Sequence, residues 1–221
     1  SMLPLISLIK GRRVRAVVER SINALTGGPV DIVDLWKGYF CIASNYSRGC
    51  EASLHKGDLG RSLRSSIAIP GALPPVVMDG ELYCDGGTFN NFPANIMREM
   101  RGVGKVIGVD VSSRSFRPLD FDEMPSAWQV LFDRWRPRKK RRYRVPSLVA
   151  YLLNVSVLYS VSRQSESRAQ TDLYFNPSLS KFGFLQWTRF SAIVQEGDEH
   201  ARQVVGALSP ADKQAWGIKN A

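Results

Sequence analysis

At 221 residues, with 44% hydrophobic and 23% charged residues, the chain has the length of one substantial domain and the composition of a globular protein. That excludes a low-complexity or collagen-like chain, and no internal repeat is visible. The formal charge of +10 is concentrated, since "RWRPRKKRRYR", residues 134–144, holds eight basic residues and no acidic one.

Ser1 ahead of Met2 reads as the remnant of a cleaved tag and is set aside. In "LPLISLIKGRR" the charges follow the apolar part, the reverse of a secretory signal. Residues 12–25 are predicted to form a helix, with Val14, Val17, Val18 and Ile22 near helical spacing and "TGGP" at its end. "GYFCIAS" (38–44) reads as a buried strand, "NYSRG" as a turn and "CEASLH" as a returning strand. "LGRSLRSSIAI" (59–69) suits a helix stopped by Pro70 and Gly71, and "PPVVM-DG-ELYC" a hairpin around Asp79-Gly80. A helix is predicted after Pro93, ending near Gly102, followed by "KVIGVDV" (105–111), an apolar strand of the kind buried in a parallel sheet. Beyond Pro118 the order is a helix near 125–133, the basic run, a long helix from Pro146, a strand "DLYFNP" and a helix over about 196–208. Alternation of strands and helices implies an α/β fold. One domain over 1–221 is expected, with a helical and strand extension over 146–221.

Chemistry concentrates on Asp85. It ends a predicted strand and is followed by Gly86 and Gly87, which allow close approach of another backbone or a substrate, and then by Asn90 and Asn91, which can cap a helix or orient neighbours. Taken alone, the spacing favours a simple turn, because Asp-Gly pairs are common there. Three scattered cysteines (Cys41, Cys50, Cys84) and two isolated histidines lack the spacing of a zinc site or a disulfide framework, so neither metal nor cofactor is expected. An intracellular setting, cytoplasmic or peripherally membrane-associated, is the matching expectation. His55 in "LHKGD" and His200 in "GDEHARQ" both read as solvated surface residues.

The wider stretch "SSIAIPGALPPV…DGELYCDGGTFNNFP" closely resembles the patatin-like phospholipases, and "LPLISLIKGRR", "GYFCIASNYSRG" and "DLYFNPSLSKFGFLQWTRFSAIVQEG" resemble the branch that includes neuropathy target esterase and its bacterial homologues. The resemblance covers nearly the whole chain. It implies a three-layer α/β/α fold with a mainly parallel central sheet, N-terminally incomplete here. It also implies hydrolysis of phospholipid or lysophospholipid acyl esters by a Ser–Asp dyad. In that scheme Asp85 is the general base, with Gly86, Gly87, Asn90 and Asn91 supporting the active-site loop. A hydroxyl needs such a base to become a competent nucleophile, and a desolvated carboxylate can serve without histidine.

The nucleophile of this family sits in G-x-S-x-G on a strand-to-helix elbow, and no such motif occurs in these residues. Ser47 in "NYSRG" lacks the first glycine, Ser62 in "GRSLR" lacks the second, and Ser65 and Ser66 belong to the helix before "IPG". The chain is therefore expected to carry the aspartate of the dyad without its serine, and to be inactive alone. The basic run admits a solvated loop or contact with an anionic membrane surface, the latter supported by the apolar "VPSLVAYLLNVSVLYSV" that follows. That segment is short for a bilayer span and is interrupted by Asn154. No recognition fold for nucleic acid is present, so none is expected as partner.

Overall fold

The computed structural model describes residues 11–112, 121–137, 140, 142–143, 145, 148–182 and 187–218. Expectations for the apolar start of the chain, for Arg138, Lys139, Arg141, Arg144 and Pro146, and for residues 183–186 lie outside these.

Two tight turns determine most of the strand pairing. β1 (Cys41–Asn45) and β2 (Cys50–Leu54) are joined through "YSRG" and pair antiparallel, Cys41 opposite Leu54. β3 (Val76–Met78) and β4 (Glu81–Asp85) are joined by Asp79 and Gly80, whose φ angles of 51° and 77° place two successive residues in the left-handed region that such a two-residue hairpin requires. β4 also pairs antiparallel with β1, Ala43 opposite Asp85, to give the order β2-β1-β4-β3. Short connections of this kind can join only antiparallel neighbours. The α/β class stands, and of the mainly parallel sheet expected, the parallel pairing among the described strands is that of β5 (Ile107–Val109) and β6 (Leu173–Phe175). "KVIGVDV" is thus a parallel strand as expected. Only one of its faces is covered, however: Val106, Gly108 and Asp110 are buried, while Ile107, Val109 and Val111 are exposed.

The helices pack in two groups. α1 (Gly11–Thr26) lays Ile22 against Ile32 and Leu59, the latter opening α2 (Leu59–Ser66), which Asp58 caps by accepting from Arg61 N at 2.6 Å. α2 packs across β1, β3 and β4. α3 (Ala94–Glu99) stands on a second cluster of Phe92, Ala94 and Val106, with Phe92 edge-on to Tyr174 at 5.7 Å. α4 spans Ala127–Arg134. The long helix predicted from Pro146 is two helices, α5 (Leu148–Ser156) and α6 (Leu158–Arg168). They break at Val157, whose φ of −106° and ψ of 2° leave the helical range, next to a serine whose hydroxyl donates to Leu153 O. Such back-bonding bends helices. α7 (Phe190–Gly206) begins before its predicted start, and α8 (Pro210–Ala215) follows a serine cap.

One clamp ties α3 to the parallel pair. The Arg98 guanidinium donates to Asp172 Oδ2 at 2.5 Å and to Gln170 O at 2.8 Å, while Val106 N–H donates to the same Asp172 oxygen at 2.7 Å. The Val106 N–H first, and Arg98 second, hold the Asp172 carboxyl below the usual carboxylate range. Its folded pKa being depressed, the stabilisation is present above the unfolded carboxylate range and is lost as pH falls through the folded value. Asp172→Ala is therefore expected to lower the melting temperature at neutral pH and to shrink the difference from the parent as the solution is acidified. Thermal unfolding at a series of pH values checks this, and a constant difference at all pH values contradicts it.

Candidate functional site

Asp85 is the last residue of β4, and the chain turns at once into a 3₁₀ turn over Gly86–Thr88. Its backbone is fixed on both sides: Asp85 N–H donates to Ala68 O at 3.0 Å, and Ser44 Oγ–H donates to Asp85 O at 2.7 Å. The carboxylate caps the turn, Oδ1 accepting from Gly87 N–H at 2.7 Å, and Oδ2 has no donor among the described residues. The side chain is half-buried, and burial pushes its pKa above the ordinary carboxylate value, opposed by the Gly87 N–H. A carboxylate desolvated in this way is better able to accept a proton than one in water.

The two glycines are there for different reasons. A Cβ on Gly86 would lie 2.1 Å from Ile42 O, so only glycine lets the turn pack on β1. A Cβ on Gly87 would lie 2.9 Å from Asp85 Oδ1 and 3.2 Å from Asn91 Oδ1, and would crowd the carboxylate. Neither asparagine caps α3, whose N-cap is Pro93 without a side-chain bond. Asn90 is buried and donates through Nδ2 to Asn95 Oδ1 at 3.0 Å, and Asn91 is held through its backbone N–H, which donates to Ser160 Oγ on α6 at 2.7 Å. Phe89 meets Tyr159 edge-on at 5.5 Å, so α6 braces the loop at two points. Ser44, Ala68 and Ser160 are the supports that reading the sequence missed. They lie far along the chain from Asp85 and Asn91, and no local motif marks them. In the same turn Thr88 Oγ1 is buried with no hydrogen-bond partner among the described residues.

None of the weighed serines meets the carboxylate. Ser47 lies in the β1–β2 turn, where its Oγ accepts from Leu82 N–H at 2.9 Å. Ser62 and Ser65 are buried in α2, Ser65 Oγ–H donating to Arg61 O at 2.9 Å, and Ser66 ends that helix. His55 is exposed, as expected. His200 is not simply solvated: it is half-buried edge-on to Phe175, and its Nε2 accepts from Asn176 N–H at 3.0 Å, a bond that anchors α7 to β6.

A second carboxylate, Asp110 at the end of β5, provides the contrast. It is buried and accepts from Ser112 N at 2.9 Å, Ser112 Oγ at 2.5 Å, Tyr174 Oη at 2.8 Å and Gln164 Nε2. Both of its oxygens are engaged by donors, which suits a structural tie between β5, β6 and α6. Among the described residues no group of three or more His, Cys, Asp or Glu could hold a metal ion, the three cysteines are free, and no helix is long and apolar enough to cross a membrane.

Comparison with known proteins points to the same stretch. A family model described as patatin-like phospholipase matches residues 44–98, which include Asp85, both glycines and both asparagines. Lysophospholipase NTE1 of Candida albicans is 30% identical over 176 residues, covering 79% of this chain and 13% of that protein. Neuropathy target esterase sws of Drosophila melanogaster is 30% identical over 215 residues, covering 95% of this chain and 14% of that protein. Lysophospholipase NTE1 of Saccharomyces cerevisiae is 25% identical over 193 residues, covering 86% and 11% respectively. The chain thus spans only a small part of the length of the curated relatives it matches.

Proposed function

Starting from a chain that belongs to the patatin-like phospholipase family, in the branch of neuropathy target esterase, we propose that these residues carry the acid/base half of a lipid acyl-ester hydrolase acting on phospholipids or lysophospholipids. Asp85 is the general base of a Ser–Asp dyad whose serine lies outside these 221 residues. The observation that carries this reading is the state of Asp85: a half-buried carboxylate with a raised pKa, fixed at a strand end by its backbone, with one oxygen engaged and the other without a donor among the described residues. Gly86 brings the turn against β1, Gly87 leaves room for the Asp85 carboxylate, and Asn90 and Asn91 hold the loop to α3 and α6. In the reaction the nucleophilic hydroxyl would pass its proton to the carboxylate as its oxygen attacks the ester carbonyl, and the carboxylic acid would return it to the departing alcohol. The basic run 134–144 is read as contact with an anionic membrane surface, which would bring the site to its substrate.

Release of fatty acid from lysophosphatidylcholine, measured for the 221-residue chain and for the same chain preceded by a segment bearing G-x-S-x-G, tests the proposal. The chain alone is expected to show no turnover above the buffer, and the extended protein to hydrolyse the ester. Turnover by the chain alone that disappears in Ser47→Ala would place the nucleophile in the β1–β2 turn and defeat the proposal.

A further inference from the structure

α4 is amphipathic in the wrong sense for a helix that packs on its own protein. Among its described side chains the buried one is a carboxylate, Asp133 at 5% exposure, while Trp128 and Phe132 are 69% and 62% exposed. Trp135, just past the helix end, is 82% exposed. Positions 128, 132 and 135 follow the spacing of one helix face. Their rings form a continuous row, Trp128 stacked on Phe132 at 6.3 Å and Phe132 edge-on to Trp135 at 6.4 Å, with Leu131 and Met124 also exposed. A capping box at Ser126 and Gln129 defines the helix start without help from the rest of the fold.

The buried acid explains how this row meets the basic run. Asp133 Oδ1 accepts from Arg142 N–H at 3.1 Å and Oδ2 from Tyr143 N–H at 2.8 Å, and Arg136 lies 3.8 Å from Oδ1. The carboxylate therefore folds residues 142–143 back onto the end of α4 and holds them there. Phe121 closes the same unit edge-on to Tyr143 at 5.6 Å. An exposed aromatic ridge and residues 142–143 of the basic run are thereby fastened to the two ends of one carboxylate-capped unit, with the Asp133 side chain turned inward.

We propose that α4 and the clasped basic loop form an interfacial membrane anchor, in which Trp128, Phe132 and Trp135 enter the headgroup boundary of an anionic bilayer and the basic side chains contact its phosphates. Aromatic side chains are favoured at that depth, and a polybasic segment supplies the electrostatic half. Charge complementarity selects an anionic lipid surface over a second copy of this chain, which would bring two basic loops together. The rings pack against one another, one pair stacked and the other edge-on, instead of standing apart to receive bases, which argues against single-stranded nucleic acid. The proposal rests on reading 134–144 as the membrane-facing segment and adds to it the aromatic ridge and the clasp.

The test is co-sedimentation of the chain with vesicles of phosphatidylcholine alone or mixed with phosphatidylserine, for the parent, for W128S/F132S/W135S and for R136Q/R142Q. The parent is expected to bind the mixed vesicles, and bromine-labelled acyl chains to quench its tryptophan emission. The aromatic variant, altered at exposed positions, should lose binding by roughly a hundredfold. R136Q/R142Q should lose roughly thirtyfold on mixed vesicles, with added salt weakening the parent in the same sense. If only the arginine variant is impaired, the basic-run reading stands and the anchor is overturned. If the parent binds neither vesicle, both fall. Self-association that the aromatic variant abolishes, or binding of a single-stranded oligonucleotide in place of vesicles, also overturns it.

Discussion

Gly86→Ala is expected to destabilise the protein by about 3 kcal/mol or more, at the upper end of what overpacking causes, and to leave it largely unfolded at moderate urea concentrations. The added Cβ would sit 2.1 Å from Ile42 O and 2.6 Å from Ile42 C, both backbone atoms of β1. They cannot rotate away, and β1 is paired on both edges, to β2 and to β4. Relief requires lifting the 3₁₀ turn off β1, which breaks the Asp85–Ala68 and Ser44–Asp85 bonds that fix the strand end. Gly108 offers the comparison: its Cβ would meet Phe92 Cζ at 2.4 Å and Thr171 Cγ2 at 2.7 Å, side-chain atoms that can move, so Gly108→Ala should cost less. Urea unfolding of both variants measures the difference. A Gly86→Ala protein as stable as the parent would mean that the turn does not pack on β1 as described.

The site was legible in the sequence where local chemistry carries the information. Asp79-Gly80 marked the hairpin, because positive φ demands particular residues, and Asp-Gly-Gly after a short apolar run marked the strand end, where Gly86 leaves no room for a Cβ against β1. The supports of the site were not legible. Ser44, Ala68 and Ser160 reach Asp85 and Asn91 by register and by helix packing, which depend on the assembled fold. The same limit explains the sheet. "NYSRG" and the Asp-Gly hairpin implied antiparallel neighbours locally, while the family resemblance implied a mainly parallel sheet, and the parallel pairing is found in β5–β6. β5 also shows why an apolar run says little about which faces are covered. Val106 is buried against Phe92 and Ala94, while Ile107 and Val109, equally apolar, are exposed. The aromatic row of α4 was missed for a related reason: its spacing reads as a helix with a core face, and only the structure shows that face turned outward and Asp133 turned in.

Asp85→Asn should move activity and stability in opposite directions. In a protein that joins this chain to a G-x-S-x-G nucleophile, the amide cannot take a proton at neutral pH, and hydrolysis of lysophosphatidylcholine should fall by about 10²- to 10⁴-fold, the range a positioned base contributes. Stability should rise. Burial raises the folded pKa of Asp85 above its unfolded value, so the folded state is favoured with the proton bound. That contribution is fully present below the unfolded carboxylate pKa and is lost as pH rises through the folded value. At neutral pH the parent therefore carries a partly desolvated charge, whereas asparagine does not, and its Oδ1 can still accept from Gly87 N–H. The variant should melt above the parent at neutral pH and converge with it in acid, as measured by thermal unfolding of the 221-residue chain. An aspartate that merely closes a turn would behave otherwise: its replacement would leave hydrolysis intact. Retained turnover would therefore remove Asp85 from the mechanism, and a variant less stable than the parent at neutral pH would show that the carboxylate is held there for the turn and not for a proton.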